Sequence, residues 1–194
     1  MLRRHVIHAS LALLAFCILF STSGNCQTNR HQLTQLSRNQ AIVDQTFQYS
    51  GQNLGPTYGQ CKTWANTVVS GASRQVGGPN TPVTLPANSG ANADGFYWNA
   101  GPYVYSHGSL DPSQWVPGMI VQMRIHNKDG TYGPHTAIVV SNCPVCKSFT
   151  FMESNYYNPP GFTVDSTPRQ VTYDAFKGSL EPLQPNEFTV YEIY

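Results

Sequence analysis

Charge is what this chain has least of. Asp, Glu, Lys and Arg make up only 11% of its residues, against roughly a quarter in an average globular domain. No run of Lys and Arg occurs, and 11 basic residues face 10 acidic ones. Nucleic acid and anionic membranes are held by concentrated positive charge, so both are poor candidates as partners. A long apolar run is also lacking. The longest, Leu11 to Phe20, falls short of the roughly 20 residues that span a bilayer. No asparagine stands in a glycosylation sequon, which favours a bacterial exported protein over a glycosylated eukaryotic one. There is no second C-x-x-C to complete a paired zinc motif, and no internal repeat.

What is present begins with an export signal. Arg3 and Arg4 precede the apolar stretch, and Ser21-Thr22-Ser23-Gly24 offers small residues for cleavage, the three regions of a secretory signal peptide. His5-Val6-Ile7 after the arginine pair does not fit twin-arginine export. Cleavage near residue 24 leaves 9 basic against 10 acidic residues, a net charge of −1. The mature protein is therefore expected outside the cell or in the periplasm. Cys26 could carry a lipid anchor, but Ser23-Gly24-Asn25 before it is a poor lipobox and anchoring is not favoured.

Of the five cysteines, Cys17 leaves with the signal. Cys143-Pro144-Val145-Cys146 in an oxidising compartment reads first as a local disulfide. A redox pair or a metal site are the alternatives, without a thioredoxin-like context or further ligands to support them.

The remaining length suits one domain with a proper core, and 40% hydrophobic residues supply it. Residues 25–50 form a polar, Gln-rich segment, with a helix expected over residues 32–48 from the spacing of Leu33, Leu36, Val43 and Phe47. A loop over residues 51–59 leads to a second helix starting at Cys61, with Trp64, Ala65, Val68 and Val69 on its apolar stripe and Gly71 as its stop. Residues 73–95 read as an irregular excursion, and residues 93–101 as a short helix or packed aromatic segment. Strands are expected over residues 119–125, 135–141 and 148–155, with further pieces near 161–165, 169–173 and 188–194. Helices followed by an antiparallel sheet make an α+β domain over residues 51–194.

Two of these elements bring chemistry together. Cys61 sits where a glycine-containing loop enters a helix, and the free N–H groups and partial positive charge there favour a thiolate. A small buried hydrophobe is the other reading of a lone cysteine. On the strands, period-two alternation puts His135 on one face with Ala137 and Val139, and Glu153 and Asn155 on one face with Phe149 and Phe151. The short turn between makes a hairpin whose open end holds all three polar residues. Cys61 as nucleophile, His135 as general base, and Glu153 or Asn155 to orient the imidazole would form a thiol-hydrolase site.

The order of these motifs is similar to the CHAP domain (cysteine, histidine-dependent amidohydrolase/peptidase), in the papain-like superfamily. The resemblance rests on Gly59-Gln60-Cys61-x-x-Trp64-Ala65, Val116-Pro117-Gly118-x-Ile120-Val121, Gly133-Pro134-His135-Thr136-Ala137-Ile138-Val139 and Glu153-Ser154-Asn155. It covers about residues 50–175. It implies a reduced papain-like fold, Cys61 as nucleophile, His135 as base and Glu153 as third residue with Asn155 beside it. Gln60, with Trp64, is assigned to the oxyanion and substrate side. It further implies cleavage of peptidoglycan or another peptide or amide substrate, as an N-acetylmuramoyl-L-alanine amidase or an endopeptidase. Such a thiol mechanism needs no metal or other cofactor, and a monomer is expected. Two features depart from the pattern. Met119 stands where many members carry aspartate, and no wall-binding repeat is visible.

Two rivals share these residues: a non-catalytic wall- or glycan-binding domain, and a transglutaminase-like acyl transferase. Tyr97, Trp98, Tyr103, Tyr105, Tyr156 and Tyr157 flank the site in sequence and are read as packing residues before substrate platforms.

Overall fold

The apolar segments of the second half assemble into one six-stranded sheet in the order β1-β6-β2-β3-β4-β5, antiparallel at every pairing. The strands are β1 (Val104–Gly108), β2 (Ile120–His126), β3 (Tyr132–Cys143), β4 (Ser148–Glu153), β5 (Arg169–Thr172) and β6 (Phe188–Ile193); the helices are α1 (Ser23–Gln48), α2 (Gly55–Tyr58), α3 (Cys61–Gln75) and α4 (Tyr173–Ser179). The protein is therefore α+β. The computed structural model describes residues 23–75, 104–126, 130, 132–155, 162–180 and 188–193, with backbone alone for 23–34 and 132. All but the last two residues of the signal peptide expected at 1–24, the aromatic segment expected at 93–101 and most of the excursion expected at 73–95 lie outside them, as do Tyr97, Trp98, Tyr103, Tyr156 and Tyr157. Residues 1–35 and 36–194 are two compact units; the backbone is helical from Ser23 in the first, and the sheet lies in the second. No helix among the described residues is long and apolar enough to cross a membrane.

Both faces of the sheet are covered, which explains why β2 reads as Ile120-Val121-Gln122-Met123 without polar alternation. One face packs Ile120, Ile138 and Met152 against Trp64, Ala65, Val68 and Val69 of α3 and Ile42 of α1. The other gathers an aromatic core around Trp115, whose ring centroid lies 4.7 Å from Phe149 and 5.2 Å from Phe176. Trp115 also donates through Nε1 to the Leu110 carbonyl at 2.8 Å, so the indole is buried with its polar atom satisfied.

Three expectations change. Helix α3 runs through Gly71 to Gln75. A Cβ at Gly71 would meet Gln45 Cδ at 2.9 Å, so the glycine permits close approach of α1 instead of ending α3. Of the strand expected near 161–165, the described residues 162–165 form only isolated bridges, from Thr163 to Asn53 and from Val164 to Ser154. The segment 169–173 ends as a strand at Thr172, whose Oγ1 accepts from the Ala175 N–H at 3.2 Å and caps the unforeseen α4. Cys143 and Cys146 are joined in a disulfide, with Cα atoms 5.2 Å apart, across the β3–β4 turn.

Candidate active site

The nucleophile position is built by a pinned junction. Helix α2 closes with the Gly59 N–H donating to the Gly55 carbonyl at 2.8 Å, and Gln60 then accepts the first bond of α3, from the Trp64 N–H at 2.8 Å. Cys61 is thus the first residue of α3, as a free thiol, partly exposed. The 162–165 segment straps this junction to the end of β4. Leu54 N–H donates to the Phe162 carbonyl, Val164 N–H to the Gln52 carbonyl, and Asp165 N–H to the Glu153 carbonyl at 2.9 Å. Ser154 Oγ adds a buried 2.6 Å bond to the Gly59 carbonyl. At Gly59 any Cβ would collide with the Cβ and carbonyl oxygen of Phe162. Gly59→Ala is therefore expected to cost about 1–3 kcal/mol through overpacking and to slow alkylation of Cys61, measured by urea unfolding and by iodoacetamide labelling.

Across the sheet runs a row of opposite charges. Ala137 of β3 pairs with Glu153 of β4, and Phe151 of β4 with Arg169 of β5, so His135, Glu153 and Arg169 lie on one face of three adjacent strands. His135 Nε2 is 3.7 Å from Glu153 Oε1, an ion-pair contact longer than a hydrogen bond. Glu153, with no exposed surface, accepts from Arg169 Nε at 3.0 Å and from Nη2 at 2.6 Å, a bidentate charge-assisted pair. The guanidinium also lies 5.9 Å from the centre of the Phe151 ring.

Protonation follows from this geometry. Burial pushes the Cys61 thiol up, but its hydrogen bond to His135, the imidazolium charge, and the backbone N–H groups of Thr136 and Lys62 bring it below its ordinary value. Burial likewise opposes a charged His135, yet the contacts with Cys61 and Glu153 raise it to about 10. Glu153 is raised by burial and lowered by more through His135 and Arg169, ending below the ordinary carboxylate value. These directions favour a thiolate, imidazolium, carboxylate and guanidinium in sequence, each charge compensated by its neighbour. Nε2 faces Glu153, which leaves Nδ1 as the ring nitrogen for the sulfur. Beside the row, burial and the Glu153 charge raise Asp165 to about 6. Burial lowers Lys62 to about 8.

The structure thus brings Cys61, His135 and Glu153 together and gives Glu153 the contact with the imidazole. Asn155 goes elsewhere. It has φ +63°, and its Nδ2 donates to Gln60 Oε1 at 3.2 Å. Gln60 is exposed beside the nucleophile. Trp64, expected on the substrate side, is wholly buried in the core between α3 and the sheet, where a substrate cannot touch it. Met119, in the place of the family aspartate, is buried in the aromatic core, and its sulfur accepts from the Val116 N–H at 3.4 Å. Tyr105 lies on β1, the edge strand furthest from β4 and β5, and packs edge-on against His107; it does not flank this site. Sequence reasoning missed Arg169, Asp165 and Ser154, none of which carries a local signal before the register of β4 with β5 is known.

No protein-family model matches the chain, and no curated protein matches it. Among solved structures it is similar to Ly7917, with a TM-score of 0.48 and 17% sequence identity over 80% of this chain. The match spans 62% of that protein's chain. At that TM-score the likeness assigns neither a fold family nor an activity.

Proposed function

We propose that this protein is an exported cysteine amidohydrolase or peptidase of reduced papain-like, CHAP-type architecture that cleaves amide bonds in peptidoglycan. One observation carries the reading: a partly exposed cysteine at a helix start, hydrogen-bonded to a histidine whose far nitrogen faces a buried, arginine-held glutamate. A structural cysteine needs none of these partners. In the reaction, Cys61 Sγ attacks the amide carbon, and the carbonyl electrons move to oxygen. The Cys61 N–H, in a first helical turn with no intrahelical acceptor, and Gln60 Nε2 receive that oxyanion. The intermediate collapses by breaking the carbon–nitrogen bond while His135 gives its proton to the departing amine. The neutral imidazole then takes a proton from water, which attacks the thioester. The acid departs and the thiolate–imidazolium pair is restored. Glu153 keeps the ring oriented and stabilises its charge throughout.

The substrate class rests on the low charge of the surface, the export signal and the motif resemblance. It is tested by incubating purified wall fragments with the protein and with Cys61→Ala, then reading new amino groups and product masses. The expected result is release of amines by the wild type alone, with the masses separating amidase from endopeptidase cleavage. Wall binding by both proteins with cleavage by neither would establish a binding domain instead.

A further inference from the structure

We infer that Asn155 is a positioning residue of the oxyanion site, acting on the Gln60 amide and not on the histidine. The inference deepens the hydrolase reading and rests on it. A glutamine can serve an oxyanion only through Nε2, and a free, exposed amide presents its oxygen about as readily as its nitrogen. An oxygen turned towards the developing charge would repel it. In the structure Asn155 Nδ2 donates to Gln60 Oε1 at 3.2 Å, which favours the amide turned this way. With Oε1 occupied, Nε2 is the end of the amide left to donate.

The backbone at Asn155 is arranged for this task. Its φ of +63° lies in the left-handed region, where asparagine is among the few side-chain-bearing residues tolerated. That turn ends the period-two alternation that would have carried the side chain along the His135 and Glu153 face. Its N–H donates to the Thr163 carbonyl at 3.1 Å, and the preceding Ser154 holds the Gly59 carbonyl. The donor is thus anchored to Thr163, and its neighbour Ser154 holds the carbonyl immediately before the residue it orients. Glu153 and Asn155, two residues apart, serve different halves of the reaction: proton transfer and charge stabilisation at oxygen.

Two reactions of Cys61 separate these roles without knowledge of the natural substrate. Iodoacetamide is displaced at a saturated carbon, expels iodide and forms no oxyanion, so its rate reports the thiolate alone. A p-nitrophenyl ester acylates the same sulfur through a tetrahedral oxyanion and expels nitrophenolate. Loss of an oxyanion donor costs about 10²- to 10³-fold, and losing only its orientation should cost less. Asn155→Gly, which suits the left-handed backbone, is expected to slow acylation about 10- to 100-fold while leaving the rate and pH profile of alkylation unchanged. In a Gln60→Ala background the same substitution should add nothing, since its effect is routed through the amide.

Parallel changes in alkylation and acylation, no change in either, or a cost that persists without Gln60 would each overturn the inference. If Asn155→Gly does not fold, Asn155→Asp replaces it. The carboxylate accepts from Gln60 Nε2, turns the amide oxygen outward and should slow acylation at least as much; acylation at the wild-type rate would overturn the inference. Failure of the hydrolase reading looks different: the wild-type thiol would then be acylated no faster than free cysteine.

Discussion

Replacing His135 by Ala is expected to remove the reactive thiolate of Cys61 at neutral pH. The cysteine is held below its ordinary value by four donors or charges acting against burial, and His135 supplies the two largest of them. Without the imidazolium, the N–H groups of Thr136 and Lys62 remain, but burial then dominates and lifts the thiol to or above the roughly 8.5 of a free cysteine. Each unit of upward shift is a tenfold loss of thiolate below the pKa, or about 1.4 kcal/mol. Alkylation at neutral pH should therefore fall by at least about tenfold. Hydrolysis should fall further, because the same residue protonates the leaving amine. For the wild type, alkylation should set in below the ordinary cysteine range and persist at high pH, whereas hydrolysis should decline as pH rises through about 10, where His135 loses its proton. The check is iodoacetamide labelling against pH, with Cys61 separated from Cys26 by peptide mass. An unshifted profile in His135→Ala would make the cysteine an ordinary buried thiol and end the hydrolase reading.

How much of this was legible in the sequence depends on whether a residue's neighbours come from its own element or from a distant one. Cys61, His135 and Glu153 could be placed because each sits at the edge of an element whose period is readable, and a short turn between Cys143 and Ser148 joins the two strands. Asn155 was assigned to the face of Glu153 by the same alternation. The left-handed turn at that residue breaks the alternation just where it was applied, and nothing in Glu153-Ser154-Asn155 announces it. Arg169 was invisible for a different reason. Its partnership depends on which residue of β5 faces Phe151, a register set by packing on both faces of the sheet. Trp64 and Gly71 failed through chemistry that cuts two ways: an aromatic near a nucleophile can line a cleft or fill a core, and a glycine can end a helix or admit a neighbour. The Thr172 cap was readable, but the β-favouring Arg169-Gln170-Val171-Thr172 carried the expected strand into Tyr173, the first residue of α4, and the rest of that helix was not foreseen.

Arg169→Leu should destabilise the fold by about 3–5 kcal/mol at neutral pH, the range for breaking one partner of a buried ion pair, and the loss should shrink in acid. Glu153 has no exposed surface, and the Arg169 side chain is only 24% exposed, so solvent screens their two bonds little. With Arg169 gone, a buried carboxylate is left with an imidazole 3.7 Å away. Glu153 in the folded protein titrates below its ordinary 4.5, so the unfolded chain takes up the proton first as pH falls. The contribution of the pair is complete above 4.5 and disappears as pH drops through the lower folded value. Wild type and variant should therefore converge in acid. Asp165 works in the opposite sense. Raised to about 6 from 3.8, it protonates first in the folded state, so its own effect favours folding as pH falls through that interval. Comparing the two proteins in an Asp165→Asn background, by urea unfolding from neutral pH down to about pH 3, removes that overlap. A difference that stays constant with pH would assign Arg169's contribution to its packing over Phe151. Glu153 would then owe its ionised state to His135, and the thiolate–imidazolium pair would be holding its own counter-ion in place.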